Sequence, residues 1–179
     1  RGGGRRRGGG GTGVRGFGGG SRGAVRAADP GSDASGVTGE SAAGEAIMRQ
    51  AAAGVRPVSF ELGGKNPALV FADCDFAAAV AGVARSSFFN TGQVCLCTER
   101  VYVERSIYPA FVEALAQAAQ SYVIGDPVDC ATTMGTLTSE HTPKRVLGVL
   151  ESARDEWAEG VRGRGETAMS GDHFRTTTW

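Results

Sequence analysis

The stretch FFNTGQVCLCTER, from Phe88 to Arg100, holds the residues best suited to covalent chemistry. Cys95 and Cys97 are two of only four cysteines in the 179-residue chain, and they follow a run of turn-forming residues. Backbone N–H groups in a turn or at a helix start stabilise a thiolate, the form of cysteine that acts as a nucleophile. The pair is therefore a candidate nucleophile, and it is also open to three other roles: metal ligand, disulfide partner or buried thiol.

The three other roles fit this pair less well. A zinc site takes about four ligands at local spacing, whereas the chain has no second cysteine pair and its two histidines are distant. No metal site is predicted. Cys95 and Cys97 are poorly placed to bond each other, because C-x-C closes a strained ring. Cys74 and Cys130 stand alone and are predicted to be small apolar fillers, so one member of the pair remains as the nucleophile.

A cysteine nucleophile needs a base, and Glu61 is the nearest candidate with an unusual setting. It stands between a predicted strand and two glycines. A carboxylate buried there would be ready to take a proton from water. The alternative interpretation of Glu61 is a surface charge at the end of a strand, and the residues alone leave both open.

The first predicted helix follows a turn that contains glycines. Apolar residues recur at three- and four-residue steps from Ile47 onward, which predicts a helix, and Ser41 or Glu40 is expected to cap it. Gly39 and Gly44 flank the first turn, and glycines before a helix N-terminus let backbone N–H groups approach a phosphate. Most G-x-x-x-x-G strings are plain turns, so the pattern alone also fits a turn without a ligand.

Strands and helices alternate through the following hundred or so positions. PVSFEL, ALVF and RVYVE are predicted strands, and GGKNP is a predicted turn between the first two. Asp73 or Asp75 is expected to cap a helix that stops before NTGQ, and a second helix follows RVYVE. The apolar faces of these two helices consist of Phe76, Val80, Val83 and Phe88, and of Ile107, Phe111, Leu115 and Tyr122. This alternation predicts the α/β class with a largely parallel sheet.

The Gly- and Arg-rich start of the chain, residues 1–23, has a different composition from the rest. It cannot bury enough apolar surface to offset its chain entropy, so it is predicted to be disordered, with order beginning near Gly36. Arg/Gly tracts bind single-stranded RNA through charge and guanidinium stacking. This one lacks regular repeats and has only Phe17 as an aromatic residue, which favours a degraded or mistranslated end of a GC-rich coding sequence.

The whole-chain composition excludes several function classes. The formal net charge is zero, so the chain has no overall electrostatic attraction for nucleic acid or an acidic membrane. No apolar run approaches the ~18 residues of a membrane span, and no signal peptide opens the chain. Four cysteines are too few for a disulfide scaffold, which predicts a reducing, cytoplasmic location. The chain begins at Arg1 without Met and ends abruptly at Trp179, which suggests a fragment.

Two sequence blocks, FELGGKNP and FFNTGQVCLCTERVYVE, resemble the signature blocks of the aldehyde dehydrogenase superfamily. The family's E-L-G-G-K matches Glu61 to Lys65, and its G-Q-x-C matches Gly92 to Cys95. Glu61 and Cys95 are 34 positions apart, the family's usual interval. VTGESAAG resembles the family's cofactor turn, usually F-T-G-S/E-x-x-x-G. The resemblance covers roughly residue 13 to the C-terminus and is strong from residue 37 to about 137.

This resemblance implies a fragment of the aldehyde dehydrogenase fold. Residues 24–60 would be the C-terminal part of the Rossmann-like NAD-binding domain. Residues 61–179 would be the N-terminal, incomplete part of the α/β catalytic domain. The family's oxyanion-hole asparagine and most of its nucleotide-binding sheet correspond to segments outside these 179 residues, so the isolated chain is expected to be inactive.

The resemblance also implies roles for individual residues. Cys95, not Cys97, matches the nucleophile that forms a thiohemiacetal and then a thioester, and Glu61 matches the base that activates water for hydrolysis. NAD is the expected cofactor, with NADP as the alternative. The cofactor-binding residues would be Gly39, Glu40, Ser41 and Gly44 near the pyrophosphate, and Leu62 and Gly63 near the nicotinamide.

Within the superfamily, the amino-acid sequence of these blocks is most similar to that of the 2-hydroxymuconic semialdehyde dehydrogenases, which act in bacterial meta-cleavage of aromatic compounds. The 5-carboxymethyl-2-hydroxymuconic and aminomuconic semialdehyde dehydrogenases are the alternatives. The expected partner is a small aldehyde, without nucleic acid or membrane, and the full-length parent is expected to be a homo-oligomer. Two other classes stay open: an inactive fragment, and an Arg/Gly-rich RNA-binding segment.

Overall fold

The computed structural model describes residues 20–137, 141–156 and 158. The chain divides into two compact units, residues 1–63 and 64–179, close to the boundary predicted between residues 60 and 61. Each unit contains one pair of parallel strands, which confirms the predicted α/β class. In the described part of the chain, no helix is both long and apolar enough to cross a membrane.

The first unit has two helices and two strands in alternation. They are α1 (Gly20–Ala28), β1 (Ser35–Thr38), α2 (Ser41–Ala52) and β2 (Val58–Glu61). β1 and β2 pair in parallel, from Ser35 opposite Val58 to Thr38 opposite Glu61. The small core consists of Ala27, Ile47 and Ala51, with the half-buried side chains of Val37, Val58 and Phe60 packed against it.

Helix α1 contradicts the prediction that order begins near Gly36 and that residues 20–23 are disordered. Its sequence is poor in strong helix formers, but Ala27 is only 1% exposed and a Cβ at Gly23 would lie 2.7 Å from Ile47 Cδ1. The Arg56 guanidinium also donates to the Ala27 carbonyl, at 3.2 Å. Close packing on α2 therefore outweighs weak local propensity. The rest of the predicted disordered segment, residues 1–19, lies outside the described residues.

The described residues of the second unit form two strands, three α-helices and a 3₁₀ turn. They are β3 (Asn66–Val70), α3 (Phe76–Phe88), the 3₁₀ turn (Phe89–Gly92), β4 (Thr98–Val103), α4 (Tyr108–Gln120) and α5 (His141–Asp155). β3 and β4 pair in parallel. The core lies between this strand pair and helices α3 and α4, and its buried members include Val70, Val83, Phe88, Phe111 and Leu115.

The predicted helices of this unit are confirmed in position and in the face they bury. Asp75, one of the two predicted capping residues, accepts a hydrogen bond from the Ala78 N–H at 3.1 Å, and α3 ends at Phe88, before NTGQ. Phe111 is 1% exposed at the centre of the core. Ile107 precedes α4 and Tyr122 follows it, yet both pack against the same core. Helix α5 was not predicted.

The strand boundary at Asn66 differs from the prediction. GGKNP was assigned to a turn, but Asn66 and Pro67 belong to β3. The pairing shifts between them: Asn66 lies opposite Thr98, and Pro67 lies opposite Arg100. Because proline has no N–H for the ladder, it is tolerated in a strand next to such an irregularity.

Candidate functional site

The backbone that leads to Cys95 is left-handed over three consecutive residues. The φ angles of Asn90, Thr91 and Gly92 are 50°, 59° and 74°. This region disfavours residues other than glycine, and a β-branched residue such as threonine most of all. Hydrogen bonds hold it in place: Thr91 Oγ1 donates to the Gly135 carbonyl at 3.3 Å, and the Gln93 N–H donates to the Asn90 carbonyl at 3.1 Å. Backbone strain of this kind often accompanies functional sites.

Cys95 lies in a tight turn, residues 94–97, which we call the cysteine turn. The Cys97 N–H donates to the Val94 carbonyl at 2.9 Å and closes this turn. Cys95 is half-buried, whereas Cys97 is only 5% exposed and its Sγ lies 3.8 Å from the Phe89 carbonyl oxygen. Cys95 is therefore the more exposed member of the pair.

The two lone cysteines have different environments. Cys74 packs half-buried against the core of the second unit, as predicted for a small filler. Cys130 is exposed, so the same prediction is wrong for it. The reason is a polar turn around it, in which Asp129 Oδ1 accepts from the Ala131 N–H at 2.9 Å. Over the described ranges, no three His, Cys, Asp or Glu side chains are grouped as a metal site would require.

Asn66 contacts the cysteine turn directly, a role that the sequence reasoning missed. Its Nδ2 donates to the Cys95 carbonyl at 2.8 Å and to the Cys97 carbonyl at 3.0 Å. Next to it, Lys65 forms an ion pair with Glu99. The GGKN segment and the cysteine segment, which are about thirty positions apart, therefore meet inside one unit. The sequence feature that could have predicted this contact is an asparagine directly before a proline, because proline has no backbone N–H to donate.

The first unit brings together most of the predicted cofactor-binding residues. Residues 39–44, which comprise the turn before α2 and the first four residues of that helix, are called the glycine turn below. The Gly39 N–H donates to the Glu61 carbonyl at 3.1 Å, and a Cβ at Gly44 would lie 2.8 Å from Leu62 Cδ1. Glu40 occupies the N-cap position in extended conformation, and α2 begins at Ser41. The glycine turn and the ELGG segment are thus adjacent.

The side chain of Glu61 is exposed at the end of β2, so of the two settings that the sequence left open, the buried carboxylate does not apply. Side chains alternate along a strand, and Val58 and Phe60 take the positions that face the core. Glu61 consequently falls on the opposite face. Its setting matches the alternative interpretation, a charge at a strand end. Glu61 belongs to the first unit and Cys95 to the second.

A cavity of 250 Å³ adjoins the cysteine turn in the second unit. Helix α3 and the segment after it form its wall: Gly82, Arg85, Ser86, Phe89, Val94, Leu96 and Cys97. Arg85 is the one charged residue in this lining, and no salt bridge of its side chain occurs among the described residues. Cys97 lines the cavity and Cys95 does not, although both chain neighbours of Cys95, Val94 and Leu96, contribute to the wall.

Comparison with known proteins gives consistent results. Residues 17–178 match the sequence profile of the aldehyde dehydrogenase family. The chain is 52% identical over 156 residues to the 2-hydroxymuconic semialdehyde dehydrogenase of Pseudomonas sp. strain CF600, covering 87% of the chain and 32% of that relative. It is 49% identical over 166 residues to a 2-aminomuconic 6-semialdehyde dehydrogenase of Pseudomonas sp., covering 93% and 34%.

A solved structure supports the same fold. The model superposes with a TM-score of 0.82, at 33% identity, on a variant aldehyde dehydrogenase from Pseudomonas syringae in complex with NAD⁺ and octanal. The superposition covers 87% of this chain and 33% of that one. The chain thus spans about a third of the length of the relatives that it matches.

Proposed function

Because the chain belongs to the aldehyde dehydrogenase family, we propose that it forms part of an enzyme that oxidises an aldehyde to a carboxylate with NAD or NADP. The proposal rests chiefly on Cys95, a half-buried free thiol in a turn closed by a backbone hydrogen bond. A nucleophile must be accessible to a small substrate yet held in one geometry, and Cys95 meets both conditions better than its buried neighbour Cys97.

The proposed reaction uses two side chains in sequence. The Cys95 thiolate attacks the aldehyde carbon and forms a thiohemiacetal, whose oxyanion the Cys95 N–H helps to stabilise. NAD, when bound, accepts the hydride that this carbon loses, which leaves a thioester on Cys95. Glu61 then takes a proton from water, the water oxygen attacks the thioester carbon, and the carboxylate and the Cys95 thiolate are released.

The residues of the glycine turn fit a dinucleotide. No atom lies within 4 Å of a Cβ built at Gly39 or at Gly63, so a ligand has room to approach the backbone there. Helix α2 begins within this segment, at Ser41, and the N–H groups of a helix N-terminus favour a phosphate. Gly39, Glu40, Ser41 and Gly44 would hold the pyrophosphate, with Leu62 and Gly63 near the nicotinamide.

For the substrate, we propose 2-hydroxymuconic semialdehyde, an unsaturated aldehyde that bears a carboxylate. The similarity to a relative named for this substrate supports the proposal. The cavity next to the cysteine turn supports it as well, because its lining combines apolar side chains with the cation of Arg85. A guanidinium binds a carboxylate through charge-assisted hydrogen bonds, and the apolar wall suits the carbon chain.

A graft tests the proposed activity. The 156 matching residues of this chain replace their counterparts in the strain CF600 enzyme, which supplies the remaining two thirds of the fold. We expect NADH production from 2-hydroxymuconic semialdehyde by the graft, and none by the isolated 179-residue chain. A folded graft that binds NAD yet produces no NADH would contradict the proposed function.

A second measurement tests the proposed substrate. Replacing Arg85 with Gln in the graft removes the charge near the cavity, so KM for the semialdehyde is expected to rise about 10- to 100-fold. KM for octanal, which has no carboxylate, should stay within about twofold. Arg105→Gln, an exposed arginine outside the cavity, is the control. Equal effects of Arg85→Gln on both aldehydes would refute the role of Arg85.

A further inference from the structure

The side-chain amide of Asn66 binds two backbone carbonyls of the cysteine turn, one directly before Leu96 and one directly after Leu96–Cys97. Its single nitrogen, Nδ2, donates to the carbonyls of Cys95 and Cys97 at 2.8 and 3.0 Å. We propose that Asn66 is a positioning residue that fixes the orientation of the Cys95 thiol. The inference rests on the proposed role of Cys95 as the nucleophile, and nothing in the family comparison assigns it.

The chemistry of this contact requires an amide. Nδ2 carries two hydrogens, and each of the two bonds uses one of them. An aspartate in the same place has the same shape but only acceptor oxygens, which would face the two carbonyl oxygens and repel them. A serine keeps one donor on a shorter side chain. The pair of bonds is therefore specific to asparagine among residues of this size.

The backbone around Asn66 explains why a side chain is needed there. Pro67 follows it and offers no N–H, and the β3–β4 register shifts at this point, with Glu99 left between the partners of Asn66 and Pro67. The ladder is thus interrupted at the junction between the cysteine turn and β4. The Asn66 amide supplies donors at this gap, and the ion pair of Lys65 with Glu99 lies beside it.

The two bonds constrain the direction of the thiol. With the Cys97 N–H bonded to the Val94 carbonyl, the peptide planes after Cys95 and after Cys97 are each held by a hydrogen bond. Fixing these planes fixes the Cα–Cβ direction of Cys95 and keeps Cys97 buried. A displacement of about 1 Å at a reacting group costs roughly 10²-fold in rate, so this restraint bears directly on the reaction.

The first test detects the contact itself in the 179-residue chain, without substrate or cofactor. The sequence contains only two asparagines, Asn66 and Asn90, so selective ¹⁵N-asparagine labelling gives two side-chain amide groups in an NMR spectrum. We expect both amide protons of Asn66 to exchange with water at least about tenfold more slowly than those of Asn90, whose Nδ2 makes a long contact with the Gln93 carbonyl, at 3.5 Å. Assignment follows from Asn90→Asp, and equally fast exchange of both groups would overturn the inference.

The second test asks whether the contact positions the turn. Peptide mapping after brief alkylation gives a rate for each cysteine, with Cys74 as an internal standard for the core of the unit. In Asn66→Asp, the ratio of Cys97 to Cys74 labelling is expected to rise about tenfold. A smaller rise is expected in Asn66→Ser, which keeps one donor. Gln50→Glu makes the same change of amide to carboxylate on an exposed face of α2 and should change nothing.

The outcomes separate this inference from the proposed function. If Cys74 labelling rises in step with Cys97 in both Asn66 variants, Asn66 supports the whole unit and the positioning role is wrong. An unchanged ratio in Asn66→Asp would overturn it too. Protected Asn66 amide protons and a selective rise in Cys97 labelling support it even if the graft is inert. If the graft is active but the Asn66 amide protons exchange freely, the proposed function stands and the positioning role of Asn66 is wrong.

Discussion

The glycine turn and the cysteine turn are built in opposite ways. In the first unit, the contacts are made by backbone and by the absence of side chains: the Gly39 N–H meets the Glu61 carbonyl, and Gly44 leaves room for Leu62. In the second unit, a side-chain amide holds the turn that presents a thiol. We therefore expect the glycine turn to be sensitive to substitutions that add a side chain. The cysteine turn should instead be sensitive to substitutions that remove a hydrogen-bond donor or the thiol.

The supports of the two turns differ as well. Among the residues that the structure describes, the core cluster of the first unit has three buried members and that of the second has nine, so the cysteine turn belongs to the unit with the larger apolar core. Apolar burial is the main stabilising term in folding. We therefore expect the second unit to be the more stable, and the glycine turn to be the part that a bound dinucleotide stabilises.

The largest expected effect falls on the sulfur atom itself. Cys95→Ser in the graft should lower the rate of aldehyde oxidation by on the order of 10⁴-fold or more, as is typical when a covalent nucleophile is removed. Cys97→Ala is the matched control and should keep most of the activity, because Cys97 is buried. Steady-state NADH production measures both. The reverse ranking would assign the reaction to Cys97.

The next effect separates the two proposed side-chain roles. Glu61→Gln keeps the size of the side chain but removes the base, so hydrolysis of the thioester should slow by about 10²–10⁴-fold. Stopped-flow absorbance should show a burst of NADH of about one per active site, followed by a stall. Steady turnover near the parent rate would show that another group activates water.

A core substitution tests the claim that the second unit is the stronger support. Phe111→Ala empties the centre of its core, where the side chain is 1% exposed and meets Phe76 edge-on. It should cost about 3–5 kcal/mol of unfolding free energy. Tyr108→Ala, at a position that is 52% exposed on the same helix, should cost far less. Urea denaturation of the 179-residue chain measures both, and similar losses would argue against a packed core here.

The smallest expected effect comes from replacing glycine with alanine at two helix positions, one crowded by a neighbouring side chain and one with free space. Gly44→Ala, inside α2, places a methyl group 2.8 Å from the Leu62 side chain. Overpacking costs about 1–3 kcal/mol and the gain in helix propensity offsets about 0.5–1 kcal/mol of it, so the first unit should lose roughly 0.5–2 kcal/mol. Gly82→Ala in α3 meets nothing within 4 Å, so higher helix propensity should stabilise the second unit by about 0.5–1 kcal/mol. Thermal denaturation shows whether each variant is less or more stable than the parent chain. Equal signs would mean that Gly44 is not needed for the approach of Leu62.

The sequence was most informative where local pattern and packing agree. The buried face of α3, its Asp75 cap and the parallel pairing of β3 and β4 all follow from periodicity and turn residues. The accessibility of Cys95 relative to Cys97 agrees with its position in the G-Q-x-C block. In these elements the residues that fix the local conformation also face the core.

The sequence was least informative where a contact joins distant positions. Helix α1 depends on Gly23 against Ile47, and the Asn66 contacts cross about thirty positions. These two contacts leave no periodic pattern, because each depends on which partner the fold brings close. Glu61 is different: its setting was left open, yet the period-two alternation of the strand that it ends already favoured the face opposite Val58 and Phe60.

The most direct test of the account is to identify the atom that carries the acyl group. The Glu61→Gln graft is mixed with NAD⁺ and 2-hydroxymuconic semialdehyde, quenched in acid during the stall and digested with trypsin. Cleavage after Arg85 and Arg100 releases one peptide with both Cys95 and Cys97, and fragment-ion masses distinguish them. The account predicts an acyl group on Cys95 that is absent in the Cys95→Ser variant. An acyl group on Cys97, or NADH formed without any acyl group on this peptide, would contradict it.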